Sequence, residues 1–580
     1  MGQPLSMDLR SRVLAAVDVL PICLQRGVLR ASFCKTGLQR DGFSLKLGCK
    51  LDRFQSTQPD GRGQVTTREK AAMLTGDMLR RSAERFPHKP AILWQGSCLT
   101  YQALDEAANR LANALIASGI AKGAKVGIIS RNRTEYGIAF FGVARSGAVL
   151  VNVSVLYAPD ELVYVLDKAD IEVLFYEDLF AEKIDAVRDR LPRLGKTLRI
   201  ASDSSDEFSR YYGSSPAAVP GVEIQEDDPF CMTYTGGTTG RPKGVLVSHR
   251  NRAITAHTVM VEEAIDERDV VGIATPMFHV AALNIMFQPA ILAGATTTLL
   301  SKWDPGDFAE MAQRTGMTAA FMVPTQVSMV VSDPQFDATR LATWRKLSFA
   351  GAPMPDWVQH RMIEVLPNVN MTQIYGQSEM GVLTALRHWY LPGKLGSVGR
   401  QAYNVDVAVI DQDGHPVAPG EIGEIVSRGD NVMLEYYKEP EQTAAFWRHG
   451  WAHTDDVGTI DEDGFITLVD RSKDMIISGG ENVYPKEIEN AIYDHDAVAE
   501  CAVFGIPHDK WGEVPAAYVC LKDNAVLSER DLVAHCADRL ALFKRPHIVK
   551  FVDDFPKTPI GKIQKNILRE PYWKDRDKKI

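Results

Sequence analysis

The run Tyr234-Thr-Gly-Gly-Thr-Thr-Gly-Arg-Pro-Lys-Gly-Val-Leu-Val-Ser-His249 sets three glycines, three threonines and a lysine within Thr235–Lys243, between two strand-like segments. Glycine lifts the Cβ restriction on the backbone, so this stretch must turn sharply and hand the chain straight into the strand Gly244-Val-Leu-Val-Ser248. A turn of this make-up aims backbone N–H groups, hydroxyls and one ammonium at a polyphosphate. It is not the Walker pattern, because Lys243 stands three residues after Gly240 and is followed by Gly244 instead of Ser or Thr. A flexible Gly/Ser/Thr linker is the plain alternative. Linkers seldom lead directly into a strand, and few carry Arg-Pro-Lys at their centre.

Regular patterning begins near Arg68. Leu104, Ala107, Ala108, Leu111 and Leu115 recur at helical spacing, and Lys125–Ser130, Gly147–Asn152 and Ile171–Tyr176 read as short buried strands, with a helix opening near Pro159. Such alternation predicts an α/β fold with mainly parallel, helix-covered sheets. After Gly393 the strands Val405–Ile410, Gly423–Ser427 and Gly464–Leu468 are separated by Asp-Gly turns, which suggests a smaller β-rich subdomain. The last hundred or so residues mix strands (Cys501–Phe504, Ala516–Leu521) with helices (Lys486–Tyr493, Glu529–Leu540), as a small α+β domain does. The expected division is an extension over 1–67, a large N-terminal domain over 68–472 and a small mobile C-terminal domain over 473–580. At 580 residues the chain is too long for a single core.

Composition excludes several classes. A net charge of −9 leaves no basic surplus for nucleic acid. Eight scattered cysteines without a C-x-x-C pair indicate neither a zinc site nor a disulfide framework, and fit a reducing compartment. No apolar run is long enough to span a bilayer, although a lipid-like substrate would allow peripheral membrane contact. The first 55 residues carry a surplus of about five positive charges. They read first as a poorly packed extension and second as a targeting sequence. The expected location is therefore cytoplasmic, or mitochondrial in the second case. Oligomeric state stays open between monomer and homodimer.

Four further motifs follow the glycine-rich turn in order. They are Tyr375-Gly-Gln-Ser-Glu379, then Gly450-Trp-Ala-His-Thr-Asp-Asp456, then Asp470-Arg-Ser-Lys-Asp-Met-Ile-Ile-Ser-Gly-Gly-Glu-Asn-Val-Tyr-Pro-Lys-Glu-Ile-Glu489, and last Pro556-Lys-Thr-Pro-Ile-Gly-Lys-Ile-Gln564. From roughly Met73 to Arg569 the chain resembles the AMP-forming acyl-adenylate superfamily of acyl-CoA synthetases, luciferases and peptide-synthetase adenylation domains, and most of all the medium- and long-chain fatty acyl-CoA ligases. The resemblance implies an ATP-dependent ligase that joins a small-molecule carboxylic acid to AMP and then to a thiol, with Mg²⁺ as cofactor and coenzyme A as co-substrate.

It also implies roles by position. Thr235, Gly236, Gly237, Thr238, Thr239, Gly240 and Lys243 would hold the ATP phosphates, where charge builds as the carboxylate attacks. Glu379 would hold Mg²⁺ and Ser378, where the family usually has Thr, would contact the α-phosphate. Ala350, Gly351 and Ala352, with Tyr375, Gly376 and Gln373, would receive adenine. Asp456 and Arg471 would take the ribose hydroxyls. Glycine usually stands where this chain has Asp455, a departure that adds a charge beside the site. Lys562 would bridge the carboxylate and α-phosphate, and Lys473 would be the hinge about which the small domain rotates. Gly479 and Gly480 would then approach the pantetheine arm of CoA.

The acyl pocket is expected to include His279, Asn284, Met322, Val323, Pro324, Phe349, Gly376 and Met380, an apolar set with no Arg or Lys aimed at a second carboxylate. That favours a fatty, aryl or alicyclic acid. Free CoA is the expected acceptor, with a carrier protein as the alternative. A silent homologue that only binds nucleotide or acyl ligands would be expected to have lost Lys562, Glu379 or Asp456, and all three are present.

Overall fold

The computed structural model describes residues 73–235, 242–352, 354–471, 474–478, 481–508, 510–537, 539–557 and 563–574. All of them belong to one compact unit, Lys70–Ile580. The extension expected over 1–67 lies outside the described residues.

One sheet runs, edge to edge, through Glu435–Tyr436, Lys243–Ser248, Pro229–Thr235, Val149–Asn152, Lys125–Ile129, Ile171–Glu177 and Lys196–Ile200. Its pairs from Pro229–Thr235 to Lys196–Ile200 are parallel, and the two pairs at the other edge are antiparallel. Val149–Asn152 is buried throughout, as a parallel strand covered on both faces must be. The helix Tyr101–Ala117 is capped by Thr100, whose side chain accepts from Ala103 N–H at 3.2 Å, and it buries Leu104, Ala108, Leu111 and Leu115. Thr134–Ser146 is buried continuously from Tyr136 onward, so this helix is core on every side. Its Phe140 meets Phe141, Phe230 and Phe287 edge to face. Each of these rings contributes about 2–3 kcal/mol by leaving water.

The second sheet begins with the antiparallel pair Ser97–Thr100 and Pro90–Trp94. It continues in parallel through Thr296–Leu299, Val270–Ile273, Ala319–Met322, Lys346–Phe349 and Asn370–Gln377. From there it turns antiparallel through Gly381–Leu386, Gly399–Gln401, Phe465–Arg471, Trp451–Ile460, Ile422–Arg428 and Asp406–Ile410. The β-rich segment expected after Gly393 thus extends the same sheet. The change from parallel to antiparallel occurs at Asn370–Gln377, the last strand of the parallel run.

A third, smaller sheet joins Glu481–Val483, Ile476–Ser478, Gly512–Leu521, Val498–His508 and Ile548–Phe551, with the helices Pro485–Tyr493, Glu529–Ala537 and Lys565–Trp573. No helix among the described residues is long and apolar enough to cross a membrane.

Candidate functional site

The strands on either side of the glycine-rich run, Pro229–Thr235 and Lys243–Ser248, pair antiparallel. Tyr234 pairs with Gly244 and Thr235 with Lys243, so the two ends of the turn are held side by side. Gly236, Gly237, Thr238, Thr239 and Gly240 lie outside the described residues. At the end of the second strand, Ser248 and Asn251 cap the helix His249–Glu262 reciprocally, at 2.7 and 3.2 Å. Asn251 Nδ2 then donates to the carbonyls of Asp430 (2.6 Å) and Val432 (2.7 Å), which draws the following residues across the hairpin. Glu435 and Tyr436 pair with Leu246 and Val245 as a result, and Lys243 Nζ lies 4.9 Å from the centre of the Tyr436 ring.

Beside the hairpin, the strand Asn370–Gln377 ends in a set of fixed polar groups. Tyr375 OH donates to Asp456 Oδ2 at 2.7 Å, and Gln377 Nε2 donates to the same oxygen at 2.9 Å and to the Thr454 carbonyl at 2.7 Å. Thr454 Oγ1 accepts from Asp456 N–H at 3.0 Å and donates to the Ile425 carbonyl at 2.6 Å. Asp456 is only 6% exposed, so these donors offset the cost of removing its carboxylate from water. Register places the Arg471 backbone opposite Asp456; the Arg471 side chain lies outside the described residues. A Cβ at Gly376 would overlap the Gly381 carbonyl, so no other residue fits there.

Two residues past Gln377, Glu379 Oε1 accepts from Tyr436 OH at 2.9 Å, and its carbonyl accepts from Met433 N–H at 2.7 Å. Burial, then the Glu379 charge, push the Tyr436 phenol well above its ordinary range, so it remains a donor. Ala350, Gly351 and Ala352 form the turn after Lys346–Phe349, with Gly351 at φ +92°.

One cavity of about 2020 Å³ is lined by Thr235, Lys243, His279, Ala350, Gly351, Ala352, Gln373, Tyr375, Gly376, Ser378, Glu379 and Asp456. The described residues singled out from the sequence for nucleotide and metal are therefore brought together, save the Arg471 side chain. Ser378 and Glu379 present a hydroxyl and a carboxylate to it, an all-oxygen set suited to a hard cation such as Mg²⁺.

Beyond His279 the wall becomes apolar, with Phe278, Val280, Ala281, Ile285, Phe321 and Val323. His279 Nδ1 accepts from Ala281 N–H at 3.2 Å at the entry to a π-helical turn, Ala281–Phe287. Of the expected acyl-pocket residues, His279, Val323 and Gly376 line the cavity; Asn284, Met322, Pro324, Phe349 and Met380 are buried behind its wall. The wider π turn explains part of this, since Ala281 and Ile285 face the cavity and Asn284 turns into the core. There the Asn284 amide oxygen accepts from the Arg252 guanidinium, at 3.2 Å from Nη2. Arg252 is fully buried, which lowers its pKa from the ordinary arginine value, and it stands behind the acyl wall and not in it.

The cavity continues to Lys486, Glu489, Lys557, Ile563, Gln564 and Lys565. Lys557 and Ile563 form a bridge pair, Lys557 binds Glu500 at 2.7 Å and Lys565 binds Glu489 at 2.7 Å. Both flanks of Lys562 are thus anchored beside the cavity. Lys562, Lys473, Gly479 and Gly480 themselves lie outside the described residues.

Sequence reasoning passed over Gln377, Thr454 and Tyr436. Gln377 and Asp456 are 79 residues apart and Tyr436 and Glu379 are 57 apart, so no local spacing announces either pair.

A family model described as AMP-binding enzyme matches residues 79–437, and one described as AMP-binding enzyme C-terminal domain matches residues 487–562. The chain is 37% identical over 496 residues to a feruloyl-CoA synthase from an Amycolatopsis species, covering 85% of this chain and 98% of that one. It is 36% identical over 501 residues to the long-chain-fatty-acid–CoA ligase FadD13 of Mycobacterium tuberculosis, covering 86% and 98%. Among solved structures, ATP-bound MatB from Rhodopseudomonas palustris superposes with a TM-score of 0.79 at 29% identity, covering 86% of this chain and 99% of that one.

Proposed function

Since the chain belongs to the AMP-binding enzyme family and is an ATP-dependent acid–CoA ligase, we propose that the acid it activates is a fatty or other hydrophobic carboxylic acid, with free CoA as acceptor. The observation that carries this reading is the sharing of one cavity by two unlike walls. Lys243, Glu379 and Asp456 stand on one, and the apolar surface beyond His279 forms the other.

In this reading Asp456 accepts hydrogen bonds from the ribose hydroxyls, and the Tyr375 and Gln377 donors hold its carboxylate in place. Adenine lies between the Ala350–Ala352 turn and the Tyr375 ring, with Gln373 at its edge. The phosphates meet Thr235, the glycine-rich run and Lys243. Glu379 would hold Mg²⁺, which when bound would supply positive charge at the phosphate oxygens. With its tail against Ile285 and Phe321, the acid presents a carboxylate oxygen near His279. That oxygen attacks the α-phosphorus, Ser378 contacts the α-phosphate, the bond to pyrophosphate breaks, and acyl-AMP forms. Lys562 offsets charge between carboxylate and phosphate at this step.

Rotation of residues 473–580 about Lys473 then withdraws Lys562 and brings Gly479 and Gly480 to the thiol channel. The CoA sulfur loses its proton as it attacks the acyl carbonyl, and AMP leaves. An apolar wall suits both aryl and fatty acids. The names of the two relatives divide between those classes, so a substrate panel must choose.

The test is pyrophosphate release with ATP and Mg²⁺ across short-chain, long-chain and aromatic acids, with and without CoA. Fastest release with hydrophobic acids and CoA-dependent thioester is the expected result. Release without thioester would remove free CoA as acceptor. Preference for short polar acids would overturn the substrate class.

A further inference from the structure

Asp455 sits between two pinned neighbours and takes no part in the steps above. Its backbone is left-handed, with φ +58°, where glycine would rest without strain and where the family resemblance leads one to expect glycine. Gln377 holds the turn from both sides, through the Thr454 carbonyl and the Asp456 carboxylate, at 2.7 and 2.9 Å. Because Gln377 precedes Glu379 by two residues, the turn is fixed against the segment that carries Glu379. Asp455 N–H donates to Glu424 Oε1 at 3.2 Å, and the residue lines the same cavity as Glu379, Tyr436 and Lys243. Tyr436, hydrogen-bonded to Glu379, is acted on by the negative charge of Asp455 as well. Arg448, which also lines the cavity, pairs with Glu424 at 3.3 Å.

A carboxylate here acts differently on two forms of the nucleotide. It repels the bare polyphosphate, which carries a large negative charge, and attracts the cation that neutralises it; Asp455 is an exposed residue of the cavity lining, so solvent screens both effects and leaves a modest factor. We propose that Asp455 is a specificity-determining residue that makes nucleotide binding depend on the divalent cation, selecting the metal-chelated polyphosphate over the free one. The inference rests on the adenylate-forming reading of the cavity.

Calorimetric titration of the full-length protein with α,β-methylene-ATP, in EDTA and in saturating Mg²⁺, tests it without any turnover. Asp455→Asn removes the charge and keeps a side chain that tolerates the left-handed backbone, while Asp455→Gly removes both charge and strain. The factor by which Mg²⁺ tightens binding is expected to fall about 5–10-fold in both variants, chiefly through tighter binding of the metal-free analogue. An unchanged factor in both variants would overturn the proposal, as would a change in Asp455→Gly alone, which would assign the effect to the backbone. If the wild-type protein bound the analogue under neither condition, the adenylate reading itself would fall, and this inference with it.

Discussion

The nucleotide wall and the acyl wall of the cavity are held by different forces. On the nucleotide side, functional oxygens are fixed by hydrogen bonds from distant segments, as when Tyr375 and Gln377 grip Asp456 and Tyr436 grips Glu379. On the acyl side, Val280, Ala281, Ile285, Phe321 and Val323 are shaped by packing around a π-helical turn. A substrate that never changes rewards polar groups set in advance, because their reorganisation is already done when charge develops. A substrate that differs among relatives rewards a surface whose shape can drift without disturbing that grip.

Substitution on either wall can break this contrast. Asp456→Ala should lower kcat/KM about 10²–10³-fold for every acid alike, roughly 3–4 kcal/mol, measured by pyrophosphate release across the panel. A loss confined to some acids would undo the division of labour. Ile285→Phe should instead reorder the acids by about 10–100-fold and leave the KM for ATP unchanged, read in the same assay with ATP varied.

A carboxylate just beneath the nucleotide wall sharpens the comparison. Glu263 is fully buried beside Ser348, on the strand that leads to Ala350, and its Oε1 has no partner. Burial pushes its pKa up from 4.5 to about 7, against the pull of Ser348, Arg387 and Lys346 and with the help of Glu262. An acid whose pKa is raised by folding binds more protons in the native state than in the unfolded one. Its contribution is therefore intact below pH 4.5 and is lost as pH rises to about 7. Glu263→Gln should raise stability at pH 8 by about 1–3 kcal/mol and change little at pH 4.5, as thermal melts at the two pH values would show. Equal shifts at both would mean the gain is not electrostatic. The smallest effect is expected for Tyr436→Phe, which removes one hydrogen bond to Glu379 and should weaken Mg²⁺-dependent analogue binding about 3–10-fold. Calorimetry checks it, and no change would mean Tyr436 only packs.

The nucleotide wall was legible in the sequence because its groups sit in compact motifs, each with an unusual composition. Ser378, Glu379 and Asp456 announce themselves locally through the motifs that contain them. What holds them did not, because Gln377 and Tyr436 act across 79 and 57 residues, where linear spacing carries no information. The strand Asn370–Gln377 is paired through Gly376 and Gln377, where a glycine and polar side chains leave no apolar pattern to announce it. The acyl wall was read less well. Asn284 was expected in the lining, and the π turn places it in the core toward Arg252. Parallel strands such as Lys125–Ile129 and Val149–Asn152 were plain, because burial on both faces leaves an unbroken apolar run. The continuity of the antiparallel strands with the second sheet was not, because alternating patterns do not say which neighbour a strand will choose.

Gly376 sets a boundary for anyone who would retune this enzyme. Its Cα faces a neighbouring carbonyl too closely for any side chain, so that stretch of the cavity floor is backbone and nothing else. A library built at this position would return only glycine among folded members. Selection for new acids must therefore work through side chains of the apolar wall such as Ile285 and Val323, which stand outside the strand that carries Tyr375.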